Sequence, residues 1–97
     1  MKENGNIKKI HAWISGRVQG VFYRATTKRR AKKLNLTGWV KNLEDGRVEV
    51  VAEGKKGDID EFQSFLEKGP IGAKVKDMKL ETEFLSERSY SSFTIER

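Results

Sequence analysis

The chain has 97 residues, which is enough for one compact domain and too few for two. It carries 20 Lys and Arg against 14 Asp and Glu, a formal net charge of +6, so an anionic partner is expected. It has no cysteine and one histidine, which excludes disulfides, thiol catalysis and zinc sites built from cysteines or several histidines.

The first predicted element is a strand that follows a polar leader. Residues 1–6 are expected to be a flexible leader, and residues 7–97 a single domain. From Lys8 to Ser15 apolar and polar side chains alternate, so one face of this strand is expected to be buried (Ile10, Ala12 and Ile14). His11 falls on the other face, where a structural or solvent-facing role is favoured over catalysis.

A helix is predicted after the segment Gly16–Gly20, in which two glycines break the strand pattern. Its apolar stripe recurs at helical spacing (Tyr23, Thr27, Ala31 and Leu34). Asn35 suits the left-handed residue that closes a helix. A run of cations between these positions is interpreted first as a solvated face and second as an electrostatic guide for anions (Lys28, Arg29, Arg30, Lys32 and Lys33).

Two strands joined by a turn are predicted next, over Leu36–Leu43 and Val48–Ala52, because the Asp-Gly pair between them is a strong hairpin signal. Asp58 with Glu61 resembles a capping box, and the apolar spacing after it predicts a second helix that ends at Gly69 and Pro70 (Ile59, Phe62, Phe65 and Leu66). A fourth strand is predicted over Val75–Thr82, with one face made of Lys76, Met78, Leu80 and Thr82; a short last strand follows, over Ser91, Phe93 and Ile95.

This order of elements predicts an α+β fold, the ferredoxin-like split βαβ sandwich, in which two helices cover one face of an antiparallel sheet. The arrangement occurs in RNA-binding modules, metal carriers, regulatory modules and enzymes, so function has to be argued from a site. No apolar run approaches the ~20 residues that cross a bilayer. Met1–Lys9 is too polar for a signal peptide, and a cytoplasmic protein is predicted.

The segment Gly16–Arg24 has the features of an anion-binding loop. Its glycines let the backbone bring several N–H groups toward one point, and the helix that follows adds its free N-terminal donors. Arg24 lies in the first turn of that helix, where the helix dipole disfavours a cation, and its guanidinium could complete a phosphate site. The alternative is a glycine-containing turn followed by a surface arginine.

Asn42 is the second candidate residue, within the segment Gly38–Val48. Asparagine is depleted in strands, yet this one falls near the end of a predicted strand. Its carboxamide both donates and accepts hydrogen bonds, so it could hold a water molecule in a fixed direction. The alternative is that Asn42 only begins the hairpin turn.

Together the two segments resemble the two signature sequences of the acylphosphatase family. Gly16–Arg24 matches a Gly-x-Val-Gln-Gly-Val-x-Phe/Tyr-Arg stretch, and Gly38–Gly54 contains a Gly-aromatic-Val-x-Asn-x-x-x-Gly-x-Val stretch. The resemblance extends over nearly all of the chain from Ile7. It departs from the family at Asn35, where glycine is usual, but asparagine tolerates the same backbone conformation.

The resemblance implies hydrolysis of the carboxyl–phosphate bond of an acyl phosphate to a carboxylate and inorganic phosphate. It places Arg24 on the phosphate and Asn42 on the attacking water, with phosphate binding by the backbone amides of Gln19, Gly20, Val21, Phe22 and Tyr23. Phosphoryl transfer through a loose transition state needs positioning and charge stabilisation rather than a covalent nucleophile, so this assignment agrees with the chemistry. The ligands are then a small-molecule acyl phosphate and inorganic phosphate. No cofactor, metal, nucleic acid or membrane partner is expected, and the protein is expected to be a monomer.

Two alternatives remain at this point. An RNA-binding module has the same order of elements, but it needs aromatic residues on the open sheet face, and the third strand, Val48–Ala52, has none. The other alternative is an acylphosphatase-like domain without catalysis of its own, as found within larger carbamoyl-transfer maturation proteins; the presence of Arg24 and Asn42 weighs against it.

Overall fold

The computed structural model describes residues 6–20 and 22–97, and the described residues form five strands and two helices. In chain order these are β1 (Ile7–Arg17), α1 (Tyr23–Lys33), β2 (Thr37–Asn42), β3 (Val48–Lys55), α2 (Lys56–Lys68), β4 (Lys74–Leu85) and β5 (Phe93–Glu96). The predicted leader lies outside the described residues except for Asn6, which is exposed and precedes β1. Within the described part of the chain, neither helix is long and apolar enough to cross a membrane.

The strands form one sheet in the order β4-β1-β3-β2-β5. Neighbouring strands are antiparallel except for β5, which runs parallel to β2. Both helices pack on the same sheet face, because their buried side chains join one core cluster with the inward side chains of the strands. The predicted ferredoxin-like α+β sandwich is therefore confirmed, with a fifth strand added in parallel to the edge of the antiparallel sheet.

The core follows from the apolar alternation of β1 and the helical spacing of α2. Ile10, Ala12 and Ile14 are fully buried on the helix side of the sheet, as predicted. From α2, Ile59, Phe62 and Leu66 are fully buried against them. Burial of one such aliphatic or aromatic side chain stabilises the fold by ~1.5–3 kcal/mol, so this interface holds α2 on the sheet.

The predicted ends of both helices are confirmed. Asn35, with a φ of 57°, adopts the left-handed conformation directly after Leu34, the residue that caps the C-terminus of α1. The N–H of Gly69 donates to the carbonyl of Phe65 at 2.7 Å at the end of α2. These residues terminate the helices because they adopt backbone conformations that most side chains disfavour.

The predicted start of α2 is wrong by three residues, because a capping box at Asp58 places the first helical residue at Ile59. The helix begins at Lys56, directly after β3, and Asp58 lies in its first turn without capping it by a side-chain hydrogen bond. The earlier start is stabilised by an ion pair of Lys56 with Asp60 at 2.8 Å and by a second pair of Lys8 with Asp60 at 2.7 Å. These two lysines lower the pKa of the Asp60 carboxyl. Asp58 still stabilises the helix through its charge at the positive end of the dipole.

Of the four residues predicted to share one face of β4, Met78, Leu80 and Thr82 pair with Ile14, Ala12 and Ile10 of β1. Met78 and Leu80 pack against the core, whereas Thr82 is exposed. The prediction is wrong for Lys76. The register between β1 and β4 shifts at Ser15 and Gly16, and Val75 packs against the core in place of Lys76. A bulge inserts one extra residue into a strand and so reverses the alternation beyond it.

A buried carboxylate holds the segment that leads into β5. Glu53 of β3 is fully buried, and its Oε1 accepts hydrogen bonds from the backbone N–H groups of Ser89 at 2.8 Å and Tyr90 at 3.1 Å. In the same segment, the guanidinium of Arg88 donates to the carbonyl of Asn35 at 2.7 Å. These contacts direct the chain back across the sheet, so that β5 pairs with β2.

Candidate active site

The loop between β1 and α1, residues 18–22, contains two positive φ angles among the residues that the structure describes. Gly20 has a φ of 76°, and Phe22, the residue before α1, has a φ of 59°. Gly16, at the end of β1, is needed for a different reason, because a Cβ there would lie 2.1 Å from the carbonyl oxygen of Lys74. Val21, one of the predicted phosphate-binding residues, lies outside the described residues.

The N-terminus of α1 is not neutralised by its own sequence. Among the residues that the structure describes, no side chain caps it, and its first turn contains no acidic residue. Its first N–H groups and the positive end of its dipole are thus open to an anion. Arg24 adds a half-buried guanidinium to this first turn. In α2, by contrast, the first turn carries Asp58.

Asn42 is the last residue of β2. It alternates with the buried Val40 and therefore lies on the helix side of the sheet. Its Oδ1 is buried and has no hydrogen-bond partner among residues 6–20 and 22–97. A buried acceptor of this kind favours a site that a donor such as water would occupy.

Arg24 and Asn42 line one cleft of about 270 Å³. Three further predicted site residues, Gly20, Phe22 and Tyr23, line the same cleft. Its wall also includes three residues that were not among the predicted site residues, namely Val18, Ala25 and Ile95. Ile95 was predicted as part of the last strand, but its place in the cleft depends on β5 running parallel to β2, where it pairs with Val40.

Tyr23 contributes to the cleft mainly as a structural residue. Its ring is buried in the core, and its hydroxyl donates to the carbonyl of Leu66 at 3.0 Å. Burial raises the pKa of the Tyr23 phenol, so the hydroxyl stays neutral at physiological pH. The side chain is therefore no candidate for a general base, and the predicted phosphate contact of this residue rests on its backbone N–H.

Gln19 does not line the cleft with the other predicted residues. Its side-chain Nε2 instead donates to the carbonyl of Leu43 at 2.8 Å and to that of Arg47 at 2.9 Å. Both carbonyls belong to the hairpin that follows Asn42. The carboxamide of Gln19 thus joins the β1–α1 loop to the hairpin that follows Asn42, and this side-chain role was not predicted from the sequence.

The hairpin between β2 and β3 is itself held by local hydrogen bonds. The N–H of Leu43 donates to the carbonyl of Arg47 at 2.8 Å. Asp45 accepts from the backbone N–H of Arg47 at 3.1 Å and from its Nε at 2.9 Å. These bonds, the backbone one foremost, lower the pKa of the Asp45 carboxyl. The predicted Asp-Gly turn is therefore present, and it fixes the chain next to Asn42.

The sheet face opposite the helices carries His11 and the two tryptophans, Trp13 and Trp39. His11 stacks on Trp13 with ring centroids 3.9 Å apart, and its Nε2 lies 2.6 Å from Oε2 of Glu49. The indole N–H of Trp39 donates to the hydroxyl of Tyr90 at 3.2 Å. His11 is thus remote from the cleft, as expected. The aromatic rings of this face come from β1, β2 and the segment before β5, and β3 adds Glu49 rather than a stacking ring.

The described residues contain no cluster of three or more His, Asp or Glu side chains that could hold a metal ion. The cleft combines positive charge from the helix N-terminus and Arg24 with a hydrogen-bond acceptor on Asn42. The fold and this cleft define a class of small α+β proteins with a positively charged cleft at the start of the first helix.

Comparison with known proteins identifies the family within this class. The family profile described as Acylphosphatase matches residues 10–95, and the chain belongs to the acylphosphatase family of acyl phosphate hydrolases. An acylphosphatase of Rubrobacter xylanophilus is 45% identical over 83 residues, which are 86% of this chain and 76% of that protein.

Two solved structures are similar in fold. The structure of an acylphosphatase from Coxiella burnetii has a TM-score of 0.84 and 41% identity, and the match covers 94% of each chain. That of acylphosphatase from Bacillus subtilis has a TM-score of 0.86 and 34% identity, over 93% of this chain and 99% of that one. The resemblance read from the two sequence segments is thereby confirmed.

Proposed function

We propose that this protein hydrolyses acyl phosphates by direct attack of water on the phosphorus atom. The observation that carries the proposal is the placement of Arg24 and Asn42 in one cleft, at a helix N-terminus that has no cap and no acidic residue. The phosphoryl group binds to the Arg24 guanidinium and to backbone N–H groups of residues 19–23. The guanidinium suits this role because its planar fork can donate to two phosphoryl oxygens at once.

Asn42 orients the attacking water through its unpartnered Oδ1. The water oxygen bonds to phosphorus while the bond between phosphorus and the acyl oxygen breaks, and that electron pair leaves on the carboxylate. One water proton stays on the new P–OH group, and the other passes to a phosphoryl oxygen, so the products are a carboxylate and dihydrogen phosphate. A carboxylate is a good leaving group and needs no general acid, which agrees with the absence of an acid or base from the residues described around the cleft.

The proposal is tested by phosphate release from benzoyl phosphate by the purified protein in excess EDTA, with phenyl phosphate as the monoester control. We expect turnover of benzoyl phosphate alone. In water enriched in ¹⁸O, attack at phosphorus places the label in inorganic phosphate. Label in benzoate would show attack at the carbonyl carbon and contradict the mechanism, and release of phosphate from neither compound would contradict the function.

Inorganic phosphate is expected to inhibit competitively and to raise the Tm of the free protein. A ligand that binds only the folded state stabilises it by RT ln(1 + [L]/Kd), which is ~2.7 kcal/mol at a hundredfold excess over Kd. The measurement is a thermal melt across a phosphate titration, with the same series on Arg24→Ala to remove general salting effects. Equal increases in Tm for the two proteins would place the bound anion outside the cleft.

Gln19 is expected to act as a positioning residue. In Gln19→Met the side chain keeps its approximate size but loses both hydrogen bonds to the hairpin, so the loop and Asn42 are no longer held in register. Small misplacements of reacting groups cost up to ~100-fold in rate, and we expect kcat to fall by roughly tenfold or more, with a smaller change in phosphate inhibition. Gln63→Met, on α2, is the matched control. A fall in Tm without any fall in kcat of the folded enzyme would make Gln19 purely structural.

A further inference from the structure

Part of the cleft wall is apolar and has no evident role in binding a phosphoryl group. Phe22 and Ile95 line the cleft together with Arg24 and Asn42. Both are large apolar side chains with substantial exposure, 82% for Phe22 and 38% for Ile95. Removal of exposed apolar surface from water is favourable, so a ligand that covers these side chains binds more tightly. These residues are therefore candidates for contact with the part of the substrate beyond the phosphoryl group.

The conformation of Phe22 strengthens this interpretation. Its φ of 59° and ψ of 23° lie in the left-handed region, which glycine adopts without strain and a bulky aromatic residue adopts only rarely. The exposed ring also contributes little to the core. Glycine would adopt this left-handed conformation with less strain than phenylalanine. Neither the turn nor the packing therefore accounts for an aromatic side chain at this position.

Ile95 reaches the same cleft from the other side. It lies on β5 in register with Val40 of β2, two residues before Asn42, so the edge strand places it beside the proposed water site. Val40 is fully buried, whereas Ile95 remains partly exposed where it borders the cleft. The loop and the edge strand thus contribute one apolar side chain each.

We propose, on the basis of the proposed function, that Phe22 and Ile95 form the binding site for the acyl group, and that the enzyme prefers acyl phosphates with an apolar, above all aromatic, acyl group. The phosphoryl group alone would leave both side chains in water. An aromatic acyl group covers them and can pack on the Phe22 ring in an offset or edge-to-face geometry. The volume of about 270 Å³ lies near the small end of the range for ligand sites, ~300–1,000 Å³, which suits a single small acyl phosphate.

The test compares two substrates that share the reacting bond, benzoyl phosphate and acetyl phosphate. The measured quantity is the ratio of their kcat/KM values, so the intrinsic reactivities of the substrates cancel between variants. We expect this ratio to fall on the order of tenfold in Phe22→Ala, the scale that hydrophobic contacts give to substrate discrimination, and by a smaller factor in Ile95→Ala. Phe22→Tyr keeps the ring and is expected to retain the ratio.

Phe84→Ala is the matched control, because Phe84 is 62% exposed on β4 and pairs with Lys8, at the end of β1 away from the cleft. Its ratio is expected to equal that of the wild type. An unchanged ratio in Phe22→Ala would overturn the proposal, and so would equal losses for both substrates, which would mean that Phe22 acts only through the loop backbone. Failure of the proposed function is a distinct result, since the wild type would then hydrolyse neither substrate.

Discussion

Arg24→Ala is expected to lower kcat/KM for benzoyl phosphate by at least ~100-fold and to leave the fold intact. Loss of one preorganised donor to the developing charge of a transition state costs ~3–4 kcal/mol, and each ~1.4 kcal/mol is a factor of ten in rate. The side chain is only half-buried in the first turn of α1, so its removal leaves no large cavity. Steady-state kinetics and a thermal melt of the same preparation measure the two effects.

Two further variants distinguish the position and shape of the Arg24 side chain from its positive charge. Arg24→Lys keeps the charge but has no planar fork, and we expect it to rescue little of the activity. Arg29→Ala removes an exposed cation from the same helix and is expected to change the rate slightly, because a solvated charge acts only through long-range attraction of the anion. If Arg24→Ala keeps more than about a tenth of the wild-type rate, or if Arg29→Ala loses as much, Arg24 does not hold the phosphoryl group.

Asn42→Ala is expected to lower kcat by roughly 100-fold and to change phosphate inhibition much less. The residue is proposed to hold the water and not the phosphoryl group, so its loss affects the chemical step more than the binding of the product. Kinetics with benzoyl phosphate give kcat, and inhibition by inorganic phosphate gives the affinity. A loss of phosphate affinity as large as the loss in kcat would instead make Asn42 a phosphate ligand.

Asn42→Asp extends the test at nearly constant shape. A carboxylate at this position could still accept a hydrogen bond from water, but its charge would repel the phosphoryl group. We therefore expect weaker phosphate inhibition in Asn42→Asp than in Asn42→Ala. The opposite order would mean that the side chain at position 42 does not face the anion.

The part of the fold that could be predicted from sequence is the part that local patterns determine. Alternation along β1 and helical spacing along α2 both survive in the structure because one face of each element is buried. The three-residue error at the start of α2 and the wrong face predicted for Lys76 have another origin. The ion pair of Asp60 with Lys8 and the bulge opposite Gly16 are contacts between separate elements, which a local sequence pattern cannot predict.

In the candidate site, too, local sequence predicts some of the residues, whereas others depend on contacts between separate elements. Arg24 and the loop glycines lie within one short segment, so their spacing alone suggested an anion site, whereas the meeting of this segment with Asn42 depended on the family resemblance. The place of Ile95 in the cleft and the side-chain bonds of Gln19 could not be predicted. The first requires the parallel pairing of β5 with β2, and the second requires the distance between a side chain and two backbone carbonyls of the hairpin.

The pairing of β5 with β2 has a consequence for the order in which the protein folds. The β1–α1 loop and the β2–β3 hairpin are close to each other along the chain. In contrast, β5 is separated from β2 by a long segment that includes α2 and β4. Closing a long loop costs chain entropy before its contacts stabilise anything, which makes such pairings slow steps in folding. A refolding molecule is thus expected to form the loop before the wall that contains Ile95, so the proposed phosphate site would form earlier than the proposed acyl site.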